Sequence, residues 1–457
     1  MAEAKLQEQV AGQAAPQVSV EKEKQPVRRV EDSLSKIGGF NTIKGFLPDA
    51  ENMDYKNKAQ RSIFLNELRF GDKRKKLASD LKKWLELLAE DKKTPMEFAE
   101  SCSQKEKKYK ELFMDNLSIA TDAIKKLETE YRTLDMFYKN TGSDKIRNLR
   151  LINVNKSELA DSNSEFIQEI NELLKNSYDR LSLKESYSLM VMPGYIFEDN
   201  TVLRLWAQMA HKYKVMLVSD HADEMTYDNM VDNTERYRDS DVFLQNIILT
   251  SNWVLGRKKE EMAREDDNLY VPPSGALAGK MYDDTRNIAD PSAGKKHGTL
   301  NEVKGVRLDL LKSEIAGLMD KQVVPIVFSE GRVMAFNDTT LFNGDNKAMQ
   351  SYTIVRVFDW IKKVLMNFLN DEALQNWDTI KSPKILKEKI QDFLNQHKGY
   401  GKLFQDYKLG NPSQDPETKN ITVDMEITPY FSAKNFIVKL AATKNKSAGF
   451  DKECNVS

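Results

Sequence analysis

VVPIVFSEGRVMAFN, residues 323–337, is written as an apolar β-hairpin. Val323–Phe328 and Arg332–Phe336 are strand-like, and Ser329-Glu330-Gly331 makes a three-residue loop ending in glycine. Downstream, TIVRVFDWIKKVLMNFL (353–369) carries apolar residues at helical spacing. Ile354, Val357, Phe358, Ile361, Leu365 and Phe368 point inward, and Arg356, Lys362 and Lys363 stay wet. KSPKILKEKIQDFLNQHKGYG (381–401) is a second helix, with Ser382 as cap, Pro383 at the first helical position and Gly399 as the stop. Two strands follow. Val423, Met425 and Ile427 alternate with Asp424 and Glu426, and Phe436, Val438 and Leu440 repeat the pattern, so one face of each strand is buried. A last strand with only a polar tail behind it offers unpaired N–H and C=O groups. Either the fold covers that edge or another chain pairs with it.

Upstream of the hairpin the period changes repeatedly. IRNLRLINVN (146–155), YSLMVMPGY (187–195), KVMLVS (214–219) and the end of VFLQNIILT (242–250) read as strands. Between them lie SNSEFIQEINELLKNSY (162–178), with Ser162 or Ser164 as cap, and NTVLRLWAQMAHKYK (200–214), both helical. Strands alternating with helices imply crossovers and a mainly parallel sheet. Residues 256–300, with Pro272-Pro273 and several glycines, read as a long insertion, and VRLDLLKSEIAGLMDK (306–321) as a helix.

Residues 55–140 read as helical. Leu77, Leu81, Leu85 and Leu88 share one stripe, and a longer helix from about Ser103 to Asn140 carries Phe113, Leu117, Ala120, Ile124, Leu127, Tyr131 and Leu134 as a seam that needs a partner. Before it, residues 1–28 are too polar to offset ordering entropy and are expected to be disordered. The apolar island Val30, Leu34 and Ile37, stopped by Gly38-Gly39, reads as a docking element.

The chain has 457 residues, enough for two or three domains. Basic and acidic residues balance at 69 and 70, which leaves no electrostatic footprint for nucleic acid. MAEAKLQEQVAGQAAPQ lacks the apolar region of a leader, and no run approaches the roughly 18 residues that span a bilayer. A cytoplasmic protein with no direct membrane insertion is expected. Cys102 and Cys454 have no His or Cys neighbour, so neither a disulfide nor a reactive thiol is expected.

Enzyme-like signals are few. Ser219-Asp220-His221-Ala222-Asp223-Glu224 follows a strand, where ligands of open α/β sheets sit, and Asp220, His221 and Asp223 are of metal-ligating type. The plainer reading is that Ser219 or Asp220 caps the next helix, since His211, His297 and His397 lie in no matching motif. GALAGKM (275–281) has three residues between its glycines where a phosphate loop needs four, and Met281 follows the lysine in place of Ser or Thr, so it reads as a plain loop. No dinucleotide fingerprint, GxSxG or HExxH occurs, and no cofactor or metal is expected.

Several segments together resemble the large sheath subunit of bacterial type VI secretion systems, the TssC family, related to phage tail sheaths. They are TEYRTLDMFYKN (129–140), FNDTTLFNG (336–344), YTIVRVFDWIKKVLMNFLNDEA (352–373), LKEKIQDFLNQHKGYGKL (386–403) and ITVDMEITPYFSAKNFIVKLA (421–441). The likeness covers most of the chain beyond residue 30. Commoner members carry a Glu-Pro-Asn turn before the second C-terminal helix, where this chain has Asn376-Trp377-Asp378.

The resemblance implies a non-enzymatic subunit of a contractile sheath in the bacterial cytoplasm, part of a membrane-docked apparatus. Implied partners are a TssB-like small sheath subunit, further copies of the chain in a helical polymer, an Hcp-like inner tube, a baseplate and a ClpV-like AAA+ unfoldase. Val423, Met425, Ile427, Phe436, Val438 and Leu440 would take part in strand exchange between copies. Val30, Leu34 and Ile37 would meet the unfoldase or dock the arm. Phe113, Leu117, Ile124, Leu127 and Tyr131 would meet the small subunit.

The expected fold is mixed α/β and α+β. It runs through a disordered tail and docking arm (1–54), a helical region (55–144), an α/β core with the insertion (145–320), a C-terminal α+β sheath domain (321–443) and a flexible tail (444–457). The alternative is a metal- or nucleotide-dependent α/β enzyme centred on Asp220 and Asp223; a phage-tail sheath that needs no small partner is a third reading.

Overall fold

The computed structural model describes residues 60, 62–88, 95–142, 146, 149–182, 186–234, 240–262, 265–283, 285–372, 376–433, 436–438 and 454–456. The docking island Val30, Leu34 and Ile37, and Leu440, lie outside them. The chain divides into two units, residues 1–116 and 117–457. In the first, a short turn, Leu68–Phe70, leads into α1 (Gly71–Leu88), and Arg74 donates to the Phe64 and Glu67 carbonyls at 2.6 and 2.8 Å. Leu77 and Leu81, expected to face inward on α1, are exposed. Helix α2 (Pro95–Asn140) begins eight residues before Ser103, with proline at its first position, where the missing N–H costs nothing.

The second unit is built on a five-stranded sheet. Its members are β1 (Leu189–Met192), β2 (Met216–Asp220), β3 (Ile247–Ser251), β6 (Val324–Ser329) and β7 (Arg332–Ala335), in the order β1-β2-β3-β6-β7. The first four are parallel and β7 is antiparallel. The apolar hairpin therefore completes the central sheet; it does not open the C-terminal domain. Its turn is Glu330-Gly331, two residues with φ of +50° and +76°, because Ser329 already pairs with Arg332. Positive φ at both turn positions suits the right-handed twist of the strands better than the expected three-residue loop.

Among the described residues of IRNLRLINVN none is strand. Leu149, Leu151 and Ile152 are exposed, and Asn155 instead accepts from the Ser157 N–H to cap the single turn Lys156–Leu159. Its alternation misleads because Asn155 competes locally for a backbone group.

Alternating strand residues feed two cores. On one face Leu217, Ile247 and Leu249 meet α3 (Glu165–Tyr178) and α4 (Asn200–Lys212), with Trp206 fully buried. Ser164 caps α3 by accepting from the Phe166 N–H. On the other face Met216, Val218 and Ile248 meet α6 (Ser274–Tyr282), the end of α2 and the start of α8 (Tyr352–Asp371). Helices α5 (Tyr227–Thr234) and α7 (Lys312–Asp320) touch each other. The expected insertion at 256–300 is thus partly ordered. It contains the hairpin of β4 (Val254–Arg257) and β5 (Leu269–Val271), then α6.

GALAGKM is therefore helix, not loop. Its glycines let α6 lie directly on α2. A Cβ at Gly275 would stand 2.5 Å from the Thr133 carbonyl oxygen, and one at Gly279 2.3 Å from that of Phe137. Four residues apart, they share one helical face.

Helix α8 is capped by Ser351 and joins the sheet-bearing core to a third cluster, made with α9 (Ser382–His397). Lys363 was expected to stay wet. It is buried, donates to the Tyr187 carbonyl at 2.7 Å, and burial pulls its pKa down to about 8. Asn246 donates to the Asp359 carboxylate at 2.7 Å one turn earlier. The remaining strands are β8 (Asp406–Leu409), the pair β9 (Ser413–Gln414) and β10 (Ile421–Thr422), β11 (Met425–Thr428), β12 (Phe436–Val438) and β13 (Cys454–Val456). β8 pairs with β11 and β12 with β13, all antiparallel. Three residues of the expected flexible tail are thus strand.

Gly279→Leu is expected to push α6 off α2. Overpacking at a backbone contact costs about 1–3 kcal/mol or more, read as a lowered urea midpoint at unchanged slope. An unaltered midpoint would contradict the close packing.

Candidate interaction surface

Helix α2 runs on from the first unit into the second. Its last quarter is fastened to the body. Besides the two glycines, Arg257 on β4 lies between Glu128 of α2 and Glu265. Its Nε donates to Glu128 Oε1 at 2.8 Å, and its Nη1 donates to Glu265 Oε2 at 2.5 Å. Arg132 adds Nε to Glu128 Oε1 and Nη1 to the Gly256 carbonyl, both at 2.8 Å. Burial pushes the Glu128 carboxyl up, but hydrogen bonds from Arg257 and Arg132 outweigh it and hold it below the usual range. The hydrogen bond to Glu265 raises Arg257 further above its ordinary value, and Arg257 in turn lowers Glu265. At the helix end Asn140 accepts from the Asn301 N–H at 2.7 Å and donates to the Asn301 carbonyl.

These contacts fix which face of α2 looks out. Thr121, Thr133, Met136, Phe137 and Asn140 are buried. The expected seam is on the other side. Phe113, Ile124, Leu127 and Tyr131 are 63%, 49%, 65% and 69% exposed, and Leu117 is half-buried. Among the described residues of the second unit no other helix covers Ile124, Leu127 and Tyr131, so this part of the apolar face has no partner within its own unit.

The residues of the enzyme alternative are spent on structure. Asp220, fully buried at the end of β2, accepts four hydrogen bonds. Oδ1 takes the Ser274 N–H at 2.8 Å and the Thr250 hydroxyl at 2.5 Å; Oδ2 takes the Gly194 N–H at 2.8 Å and the Ser274 hydroxyl at 2.5 Å. It ties the ends of three strands to the start of α6, not to the next helix in sequence. Asp223 is held by Arg307 Nε and Nη2, both at 2.5 Å, and Arg307 stacks on Tyr270. No group of three or more His, Cys, Asp or Glu among the described residues is placed to hold a metal.

Of the expected exchange residues, Val423, Met425 and Ile427 face inward and line an apolar groove of about 290 Å³ with Phe358, Leu365, Met366 and Leu369 of α8. Phe436 and Val438 lie on β12, paired with β13. Arg257, Glu128 and Glu265 were missed by sequence reasoning. They are brought together across 129 positions, and no local pattern announces them. Gly275 and Gly279 did carry a signal, small residues four apart, which marks close helix packing as well as failing a phosphate loop.

Asp220→Asn is expected to leave one buried backbone N–H facing an amide N–H, at a cost of about 1–3 kcal/mol. Burial raises the Asp220 pKa from 3.8 to about 6 against its hydrogen bonds. The folded state then binds the proton more tightly than the unfolded one, so the stability Asp220 supplies is full below pH 3.8 and is lost as pH rises to about 6. The wild-type advantage over Asp220→Asn in chemical denaturation should shrink across that window; a flat difference would contradict it.

Three family profiles match the chain in order. They are the TssC/VipB-like N-terminal region over residues 27–117, the type VI secretion system TssC/VipB central domain over 119–343, and the TssC/VipB-like C-terminal domain over 351–455. No curated protein shows significant similarity. Among solved structures, the chain is similar to a protein of the anti-feeding prophage baseplate at 14% identity, covering 68% of this chain and 79% of that one with a TM-score of 0.49. It is also similar to a protein of the contracted PVC sheath complex, from an extracellular contractile injection system, at 15% identity, 57% and 71% coverage and a TM-score of 0.42. A sheath tail protein from Listeria innocua follows at 11% identity, 58% and 57% coverage and a TM-score of 0.41. These structural likenesses are distant, and membership rests on the sequence profiles. The chain belongs to the TssC/VipB family of the type VI secretion system and is a structural subunit of its contractile sheath.

Proposed function

We propose that this chain is the large sheath subunit, without enzymatic activity, and that it co-assembles in the cytoplasm with a small TssB-like subunit around an Hcp-like tube, contracting to propel that tube. The observation that carries the reading is the outward apolar face of α2, held in place by buried contacts and uncovered within its own unit. Burying four large apolar side chains at about 1.5–3 kcal/mol each would supply a strong association. A partner helix with its own apolar seam is the natural cover. No helix among the described residues is long and apolar enough to cross a membrane.

Strand exchange between copies is supported by the β8–β11 ribbon. It has two strands among the described residues, and such ribbons are marginal without further strands. Phe436, Val438 and Leu440 would add to a neighbour's sheet. The β12–β13 pairing is then what a lone chain does with an edge that an assembled chain gives away. Contacts of this head-to-tail kind, when they do not close, build helical polymers. The baseplate, and an unfoldase meeting Val30, Leu34 and Ile37, complete the proposed partner set.

Co-expression with the small partner should yield tubes by negative stain. Deleting residues 433–457 should abolish them, and Leu127→Asp should weaken capture of the small partner by about 30-fold or more while the monomer stays folded. Tubes from the deletion, or unchanged capture by Leu127→Asp, would contradict the respective contact.

A further inference from the structure

Asp338, in FNDTTLFNG (336–344), is a buried carboxylate on which three parts of the second unit meet. It stands just after β7, and its carbonyl accepts from the Tyr352 N–H at 2.8 Å. Its Oδ2 accepts from two hydroxyls: that of Ser351, the cap of α8, at 2.9 Å, and that of Ser432 at 2.8 Å. A buried carboxylate is tolerated only where donors meet it, and its hydrogen bonds are stronger than neutral ones. One of the two donors comes from 94 positions away, on an exposed stretch just ahead of β12.

The chain leading to Ser432 is fixed step by step. The Gln405 N–H donates to the Thr428 carbonyl at 2.9 Å, the Gln405 side-chain amide to the Pro429 carbonyl at 3.2 Å, and the Tyr430 hydroxyl to the Gly399 carbonyl at 2.6 Å. Pro429 and Tyr430 leave a void of only about 10 Å³ against Ala289, Thr353 and Leu403, room for one water at most. Among the described residues, Ser432 is the last before β12 with a hydrogen bond to the rest of the unit, and β12 itself pairs only with β13. Residues 433–435 separate Ser432 from Phe436. At no more than about 3.6 Å per residue, the start of β12 lies within about 14 Å of Ser432.

We propose, on the strand-exchange reading above, that Asp338 is a positioning residue for assembly: by holding Ser432 it fixes the root from which the terminal arm leaves, and so limits which neighbouring copy the arm can reach. A strand that pairs in another molecule is placed relative to its own body by that root. A short tether keeps the strand at high effective concentration over neighbours within its reach and at none over those beyond it. Freed at Ser432 but still held at Tyr430, the tether gains two residues and its reach grows from about 14 to about 21 Å. The volume over which the arm is spread then grows about threefold, and its effective concentration falls by the same factor.

The full chain is co-expressed with the small partner, and the concentration at which tubes form is measured for three variants. Ser432→Ala, which removes one hydroxyl from an exposed position, should raise that concentration about threefold. Ser432→Thr keeps the hydroxyl and should leave it unchanged. Inserting Gly-Ser after Ala433 in the otherwise wild-type chain keeps the clasp but lengthens the tether by the same two residues, and should reproduce the effect of Ser432→Ala; a bond that served only to stabilise the fold would not be mimicked in this way. An unchanged threshold for Ser432→Ala, a Ser432→Thr chain as impaired as Ser432→Ala, or an insertion without effect would each overturn the positioning role and leave the sheath reading standing. Failure of the parent chain to form tubes at all would overturn both.

Discussion

The close seating of α6 on α2 is the constraint on which the rest of the molecule turns. Helix axes approach this closely only where Cβ atoms are missing, and Gly275 and Gly279 provide that at two successive turns. Asp220 then pins the start of α6 to the ends of β1, β2 and β3. Sheet, α6 and the end of α2 become one rigid stack. The Arg257–Glu128–Glu265 cluster fixes α2 in rotation, which is why one apolar stripe is buried and the other is presented.

A carboxylate at the carboxyl end of a parallel strand invites an enzymatic reading, and here the same position does mechanical work. Asp220 spends both oxygens on four donors and Asp223 spends both on Arg307. A sheath subunit must pass force through its body without coming apart, and buried, fully satisfied polar nodes suit that demand because breaking one is expensive. Lys363 and Asp359 play the same part between α8 and the sheet-bearing core.

Periodic elements were legible in the sequence. The helices at 162–178, 200–214, 353–369 and 381–401, the strands at 187–195 and 214–219, and the hairpin at 323–337 all exist where their periods place them. What failed was local pattern without tertiary context. IRNLRLINVN alternates, but Asn155 at its end caps the following turn. GALAGKM fails as a phosphate loop, and its small-residue spacing instead describes close helix packing. Lys363 looked like a wet lysine on an amphipathic helix, because nothing local shows that a backbone carbonyl from another element waits for it. The α2 seam was legible as a face, and its freedom became visible only when the opposite face was seen to take the core.

The central claim is that α2 presents its seam for burial by the small subunit. Hydroxyl-radical footprinting of the chain alone and in tubes tests it directly. Strong protection of Phe113, Ile124, Leu127 and Tyr131 on assembly, with Met136 and Phe137 already protected in both states, is the predicted result. Equal labelling of the seam in both states would contradict the account.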